Sequence, residues 1–228
     1  MRQIVLDTET TGLSTKNGDR IVEIGCVEII NRNITGKFFH SYCNPERLVG
    51  SVAMSITGIT DQFLLDKPKF AEIVEDFLQF VGTSELVIHN ASFDVEFINN
   101  ELKLLNHSIA DLSLEFKIID TLVLARKMHP GQRNNLDALC KRYNINNIDR
   151  ELHGALKDAN ILAKLILKMT AGQINLDFNL SDNIKAIVKF GVKSEIKNID
   201  KNHKLKIVYA NQIEQQLHET YLLELLKL

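Results

Sequence analysis

The chain has few cysteines, no long apolar run and almost no surplus of charge. Its three cysteines, Cys26, Cys43 and Cys140, are widely spaced with no CxxC pair. That spacing excludes a disulfide framework and a cysteine zinc site. Cys26 and Cys140 lie within apolar runs and read as small core residues, which fits a reducing, intracellular compartment. No apolar stretch approaches the length that spans a bilayer. The N-terminal MRQIVLDTET is too short in its apolar part and too acidic for a signal peptide, so a cytoplasmic location is expected. Lys and Arg number 27 against 29 Asp and Glu, a net charge of −2. Such a balance gives no global attraction to nucleic acid, so any binding of DNA must be local, or assisted by metal ions or a partner. No internal repeat is visible.

What is present is an α/β pattern. Residues 3–8, 20–30 and 34–43 read as strands, the last two joined by a turn at Asn31–Asn33, which makes an antiparallel meander. Residues 70–81 carry a helical stripe of Phe70, Ile73, Val74, Phe77, Leu78 and Val81. A strand at 85–89 leads to a helix at 92–105 with Ser92 as its cap. A strand at 116–120 leads to a helix at 121–128, ended by Pro130 and Gly131, and further helices are expected at 134–142 and 154–169. Strands first, then strands alternating with helices, predict a mixed sheet flanked by helices. With 228 residues there is room for one good-sized domain and an appendage. After Ala171 the composition shifts. Residues 179–204 are rich in Asn, Asp, Ser and Lys and read as a linker. Leu205–Tyr209 and the helically spaced Ile213, Leu217, Tyr221, Leu225 and Leu228 follow, a stripe that must bury against the domain or a partner.

Four acids stand out from this pattern. Asp7 and Glu9 lie two apart where the first strand ends, so both side chains point to one face. Two anions side by side are costly unless protonated or bound to cations; a solvated pair of turn acids is the plain alternative. Asp158 falls on the apolar face of its helix with Ile161, Leu162, Leu165 and Met169. Asp94 shares a face with Phe97, Ile98, Glu101 and Leu105. A carboxylate on a core-facing stripe needs a compensating partner. Oxygen ligands suit Mg²⁺ or Mn²⁺, and two such ions could clamp both oxygens of a phosphodiester cleavage. His153 lies five residues before Asp158, off that helix face, and so is expected on a loop before the helix, near Gly154. There it could take a proton from water, or be an ordinary residue of the helix entry. His89, His107, His129 and His218 show no such setting and read as structural or surface residues.

These residues carry a resemblance. Asp7-Thr8-Glu9-Thr10-Thr11-Gly12-Leu13, His89-Asn90-Ala91-Ser92-Phe93-Asp94 and His153-Gly154-Ala155-Leu156-Lys157-Asp158-Ala159 resemble, in order and separation, the three motifs of the DEDDh (DnaQ-like) 3′→5′ exonucleases. FLLDKP at 63–68 and ARKMHPGQRNNLDALC at 125–140 extend the likeness toward the epsilon-type proofreading branch of that family, which serves bacterial DNA polymerase III. The resemblance implies a ribonuclease H-like fold with an extended C-terminal tail. It implies that Asp7, Glu9 and Asp158 hold two divalent metal ions, Mg²⁺ or Mn²⁺, with Asp94 assisting, and that His153 is the general base. Asp7, Glu9, Thr10 and Asp158 would meet a DNA 3′ end, single-stranded or frayed, and release nucleoside 5′-monophosphates. Where the family often carries a Glu and a His that approach the nucleotide, this chain has Val52 and Thr57. Gln173-Ile174-Asn175-Leu176-Asp177-Phe178 resembles a peptide that docks on the sliding clamp, so that Gln173, Leu176 and Phe178 would bind that partner. The expected organisation is an exonuclease domain at 1–172, the clamp-type peptide at 173–178, the linker at 179–204, and a segment at 205–228 that binds the polymerase catalytic subunit. A small accessory subunit is left open. The rival readings are a DEDDh ribonuclease that trims RNA 3′ ends and a non-catalytic tether between polymerase and clamp.

Overall fold

Arg2–Thr10 forms the first strand, β1, in a computed structural model that describes residues 1–146 and 152–171. Ile4 and Leu6 pack against one face of the sheet and Val5 against the other, and none is exposed to solvent. Burial on both faces is why this strand reads as a continuous apolar run. β2 (Ile21–Ile30) and β3 (Asn33–Tyr42) complete the antiparallel meander. Their turn places Asn31 and Arg32 at positive φ, 48° and 67°, the tight geometry that suits the twist of a hairpin. β4 (Glu85–Ile88) and β5 (Ile118–Asp120) run parallel to β1, giving the order β3-β2-β1-β4-β5.

Helices cover both faces of this mixed sheet. On one side lie α3 (Phe70–Val81) and α4 (Ala91–Leu104), after two short helices, α1 (Ser51–Thr57) and α2 (Asp61–Leu64). Phe77, Phe97, Ile98 and Leu102 bury there against Ile4, Leu6, Ile24 and Cys26. The short α5 (Leu112–Glu115) precedes β5. On the other side lie α6 (Thr121–Met128), α7 (Leu136–Arg142) and α8 (Ala155–Met169). Leu139, Cys140, Leu162, Leu165 and Ile166 pack there on Val5, Val27, Ile29 and Val87.

Two arginines tie the layers together. Arg2 bonds Glu28 Oε1 at 2.6 Å from Nε, and its other nitrogens donate to Ser84 Oγ and to the carbonyls of Phe80 and Val81. Arg20 grips Glu101 on α4 through two bonds of 2.7 and 2.6 Å, and Glu101 is only 1% exposed. All three cysteines are buried, Cys43 as well as the two expected. Burial pushes the Cys43 thiol up to about 12, so it stays protonated and unreactive.

Several expectations need adjustment. The strand placed at 116–120 is shorter, at Ile118–Asp120. The helix placed at 134–142 begins at Leu136, because Asn135 is its cap, accepting from the Ala138 N–H. Leu105, placed on the buried face with Asp94, is 37% exposed; Leu102 takes that place. No helix of the described residues is long and apolar enough to cross a membrane. The clamp-type peptide with Gln173, Leu176 and Phe178, the linker, the segment at 205–228 and His218 lie outside the described residues.

Candidate active site

The sheet itself sorts the four acids. Along β1 side chains alternate, so Asp7 and Glu9 follow Val5 onto the α8 face while Thr8 follows Leu6 onto the α4 face. Across the ladder Asp7 pairs with Gly25 and Glu9 with Glu23. Gly25 is decisive. A Cβ there would lie 2.2 Å from the Leu156 N and 2.3 Å from the Ala155 carbonyl carbon. Only hydrogen fits, and the first turn of α8 therefore rests directly on β2.

That approach delivers Asp158, in the first turn of α8 and 3% exposed, to the face that carries Asp7 and Glu9. His153 precedes the helix on a loop, as its spacing required, with Gly154 as the extended N-cap. Its Nδ1 lies 3.4 Å from Asp158 Oδ2. Glu9, His153 and Asp158 can each offer a ligand atom, all within 4.8 Å of one another. The loop is held from below: the His153 N–H donates to the Ile56 carbonyl at 3.1 Å, and Leu152 covers Gly58 so closely that a Cβ there would meet its Cδ1 at 2.7 Å.

Asp94 arrives from the opposite face of the sheet. It sits in the first turn of α4, 3% exposed, and its Oδ1 accepts from the Thr8 N–H at 3.0 Å and the Thr8 hydroxyl at 2.7 Å. Burial pushes its carboxyl up to about 7; the Thr8 hydrogen bonds oppose this, and the negative Asp120 adds to it. The start of α4 differs from expectation. Its N-cap is Asn90, at φ 66° and ψ 52° with no side-chain cap bond, and not Ser92. The missing acceptor comes from a distance: Asp120, at the end of β5, accepts from the Asn90 and Ala91 N–H groups at 3.3 and 3.2 Å. The same carboxylate caps α6 through Leu122 and Val123. One side chain thus fixes two helix starts, and a local reading of residues 90–94 cannot reveal it.

Asp7, Glu9, Asp94, His153 and Asp158 line one cleft of about 290 Å³. His89, read as structural or surface, lines it too, with Nδ1 2.9 Å from the Thr121 hydroxyl. The sequence signal was its place at the end of a parallel strand, where ligand clefts of α/β sheets form. Thr8 was also passed over, although it alternates with the two acids. His107 and His129 are in structural settings, beside Glu75 and Tyr143.

A second, more apolar recess of about 500 Å³ adjoins the cleft, lined by Thr10, Leu13, Val52, Ile56, Thr57 and His153 among others. Val52 is 67% exposed on its wall. Thr57 is buried and its hydroxyl is engaged at the end of α1, donating to Ala53 O and accepting from the Ile59 N–H. Thr10 is buried, its hydroxyl donating to Gly12 O at 2.6 Å.

The donor set, four carboxylates and one imidazole at one cleft, fits hard divalent cations such as Mg²⁺ or Mn²⁺. The burial of Asp94 and Asp158 supports that fit, since anions so placed need a cation or a proton.

An acid-lined cleft at the strand ends of a helix-flanked mixed sheet marks a nuclease of the carboxylate type. The chain belongs to the Exonuclease family, whose model matches residues 4–166. Relatives named DNA polymerase III subunit epsilon refine the placement. That of Buchnera aphidicola subsp. Schizaphis graminum is 51% identical, covering 97% of this chain and 95% of the relative. That of Escherichia coli K12 is 46% identical, covering 97% and 92%. Among solved structures, Exonuclease X in complex with 5′ overhanging duplex DNA is similar at TM-score 0.58 and 29% identity, over 73% of this chain and 90% of that one. The nuclease domain of 3′hExo, a DEDDh family member bound to rAMP, shares the fold at TM-score 0.64 and 17% identity, over 74% and 90%.

Proposed function

We propose that this chain is the proofreading 3′→5′ exonuclease subunit of a bacterial DNA polymerase III, removing mispaired 3′-terminal nucleotides as 5′-monophosphates. The observation that carries this reading is the convergence of Asp7, Glu9, Asp94, Asp158 and His153 on one cleft. The epsilon-type relatives, matched along nearly the whole chain, support the replicase setting.

Asp7, Glu9 and Asp158, with Asp94 assisting, would hold two divalent metal ions, Mg²⁺ or Mn²⁺, which when bound supply positive charge to the attacking and leaving oxygens. His153 takes the proton of the attacking water. Asp158, beside Nδ1, stabilises the imidazolium that results and orients the ring. The Thr8 hydrogen bonds hold Asp94 at the strand end, so α4 and β1 keep a fixed spacing. The terminal nucleotide occupies the apolar recess, its sugar and base against Val52 and Ile56, with the backbone at Thr10 alongside. Thr57 shapes that wall without donating to the nucleotide, because its hydroxyl hydrogen is already given to Ala53 O. Selection of mispairs rests on fraying: an end held by less pairing and stacking energy is cheaper to extrude.

Residues 1–172 form the exonuclease domain in this reading. Gln173, Leu176 and Phe178 dock on the sliding clamp, residues 179–204 are a linker, and residues 205–228 bind the polymerase catalytic subunit; a small accessory subunit is compatible with the scheme. The test is Mg²⁺-dependent digestion of a mispaired DNA primer by the wild type and by His153→Ala, with an RNA oligonucleotide in parallel. Strong loss in the variant and preference for DNA are expected. Metal-independent digestion, equal rates in the variant, or preference for RNA refutes the reading.

A further inference from the structure

A third recess, of about 570 Å³, adjoins the acid cleft on the side of α6 and the loop before α7. His89, Asn90 and Asn135 line both spaces, so the two share a wall. Their chemistry is opposite. Asp7, Glu9, Asp94, Asp137 and Asp158 line the cleft, whereas no carboxylate lines the recess.

The recess presents donors. Arg126 and Gln132 are exposed on its rim, and neither side chain has a hydrogen-bond or ion-pair partner among the described residues. Asn135 uses its carbonyl oxygen to cap α7, which turns its amide hydrogens outward from that bond. The loop that carries Gln132 is a built element. Asn134, 7% exposed, donates to the carbonyls of His129 and Gln132 and accepts from Arg142, whose other nitrogen reaches Arg133 O. The segment that carries Arg126 and Gln132 is basic as well. Residues 121–142 contain Arg126, Lys127, Arg133, Lys141 and Arg142 against the single acid Asp137, in a chain whose net charge is −2. Basic residues in the last turns of α6 and α7 complement those helix dipoles. That accounts for their type, but not for an acid-free recess beside the cleft.

We infer that this recess binds backbone phosphate of the substrate strand on the 5′ side of the scissile bond, with Arg126 and Gln132 as the phosphate donors. The inference rests on the exonuclease reading and extends it. A charged guanidinium with neutral amides around it suits a phosphodiester, and contact with phosphate is indifferent to base sequence. It also supplies the local attraction that the near-neutral chain lacks.

The test compares a thymidine dinucleotide with a longer oligothymidylate, using the full chain with Mg²⁺. For Arg126→Gln, KM for the longer strand should rise about tenfold, and the salt slope of its binding should fall by about 0.7, the share of one phosphate contact with a single strand. Arg126→Lys should keep the slope. The dinucleotide, whose single phosphodiester is the scissile one, has no further phosphate for the recess and should show neither change. An unchanged KM and slope for the longer strand overturns the inference. So does an equal penalty on both substrates, which would mean that the change disturbs the acid cleft itself. Activity of the wild type on neither substrate would overturn the exonuclease reading and this extension together.

Discussion

Replacing Gly25 by Ala adds one methyl group where the structure has no room for it. The new carbon would lie 2.2–2.4 Å from the backbone of Ala155 and Leu156, where ordinary contact begins at 3.4 Å. The obstructing atoms are backbone, so no side-chain rotation relieves the clash. The first turn of α8 must retreat from β2 by about 1 Å, taking Asp158 and the His153 loop with it. A displacement of that size at a reacting centre costs roughly 100-fold in rate, while overpacking of this kind typically costs about 1–3 kcal/mol of stability. The assay is single-turnover digestion of a mispaired primer across a Mg²⁺ titration, at a temperature where circular dichroism shows the variant folded. We expect a rate about two orders of magnitude lower and a rightward shift of the metal dependence. A folded variant with the wild-type rate and metal response would refute the claim that Gly25 sets the distance between the two halves of the site.

The remaining expectations concern the supports of the cleft. The Asp94 carboxyl is raised to about 7 from 3.8, so between those values the folded chain keeps a proton that the unfolded chain has released. The contribution of Asp94 to the stability of the metal-free protein should therefore be full below the lower value and fall as pH rises toward the upper one, by at most about 1.4 kcal/mol per pH unit. Urea unfolding at several pH values checks this, and Asp94→Asn should flatten the trend. Arg20→Ala leaves the buried Glu101 without its partner and should cost about 3–5 kcal/mol by denaturant unfolding; a loss under 1 kcal/mol would count against that pairing. Asp120→Ala removes the acceptor at two helix starts and should cost roughly 2 kcal/mol, about 1 kcal/mol for each cap, with a fall in nuclease rate because α4 carries Asp94.

Much of this was legible in the residues. The strand alternation put Asp7 and Glu9 on one face, helical spacing put Asp94 and Asp158 on buried faces, and the five-residue gap put His153 on a loop. The sequence was silent where partners are distant or elements short. α1 spans only Ser51–Thr57 between two glycines, too brief to show a period, yet it walls the apolar recess beside the acid cleft and anchors the His153 N–H. Ser92 looked like a cap by local rules, but Asp120, thirty residues on from Asn90, holds the α4 start. The role of Gly25 is invisible in sequence, since only the packing of α8 shows what a side chain would strike.

The sheet's division of labour has a consequence for the life of the chain in the cell. Asp158 reaches the cleft only when α8 has docked on one face, and Asp94 only when α4 has docked on the other. A half-folded chain carries every acid but assembles no site. Cutting power therefore requires both layers to be closed on the sheet. By the same linkage, any ion that gathers these acids tightens the whole sandwich, so metal affinity reports on the integrity of the fold as directly as a melting curve.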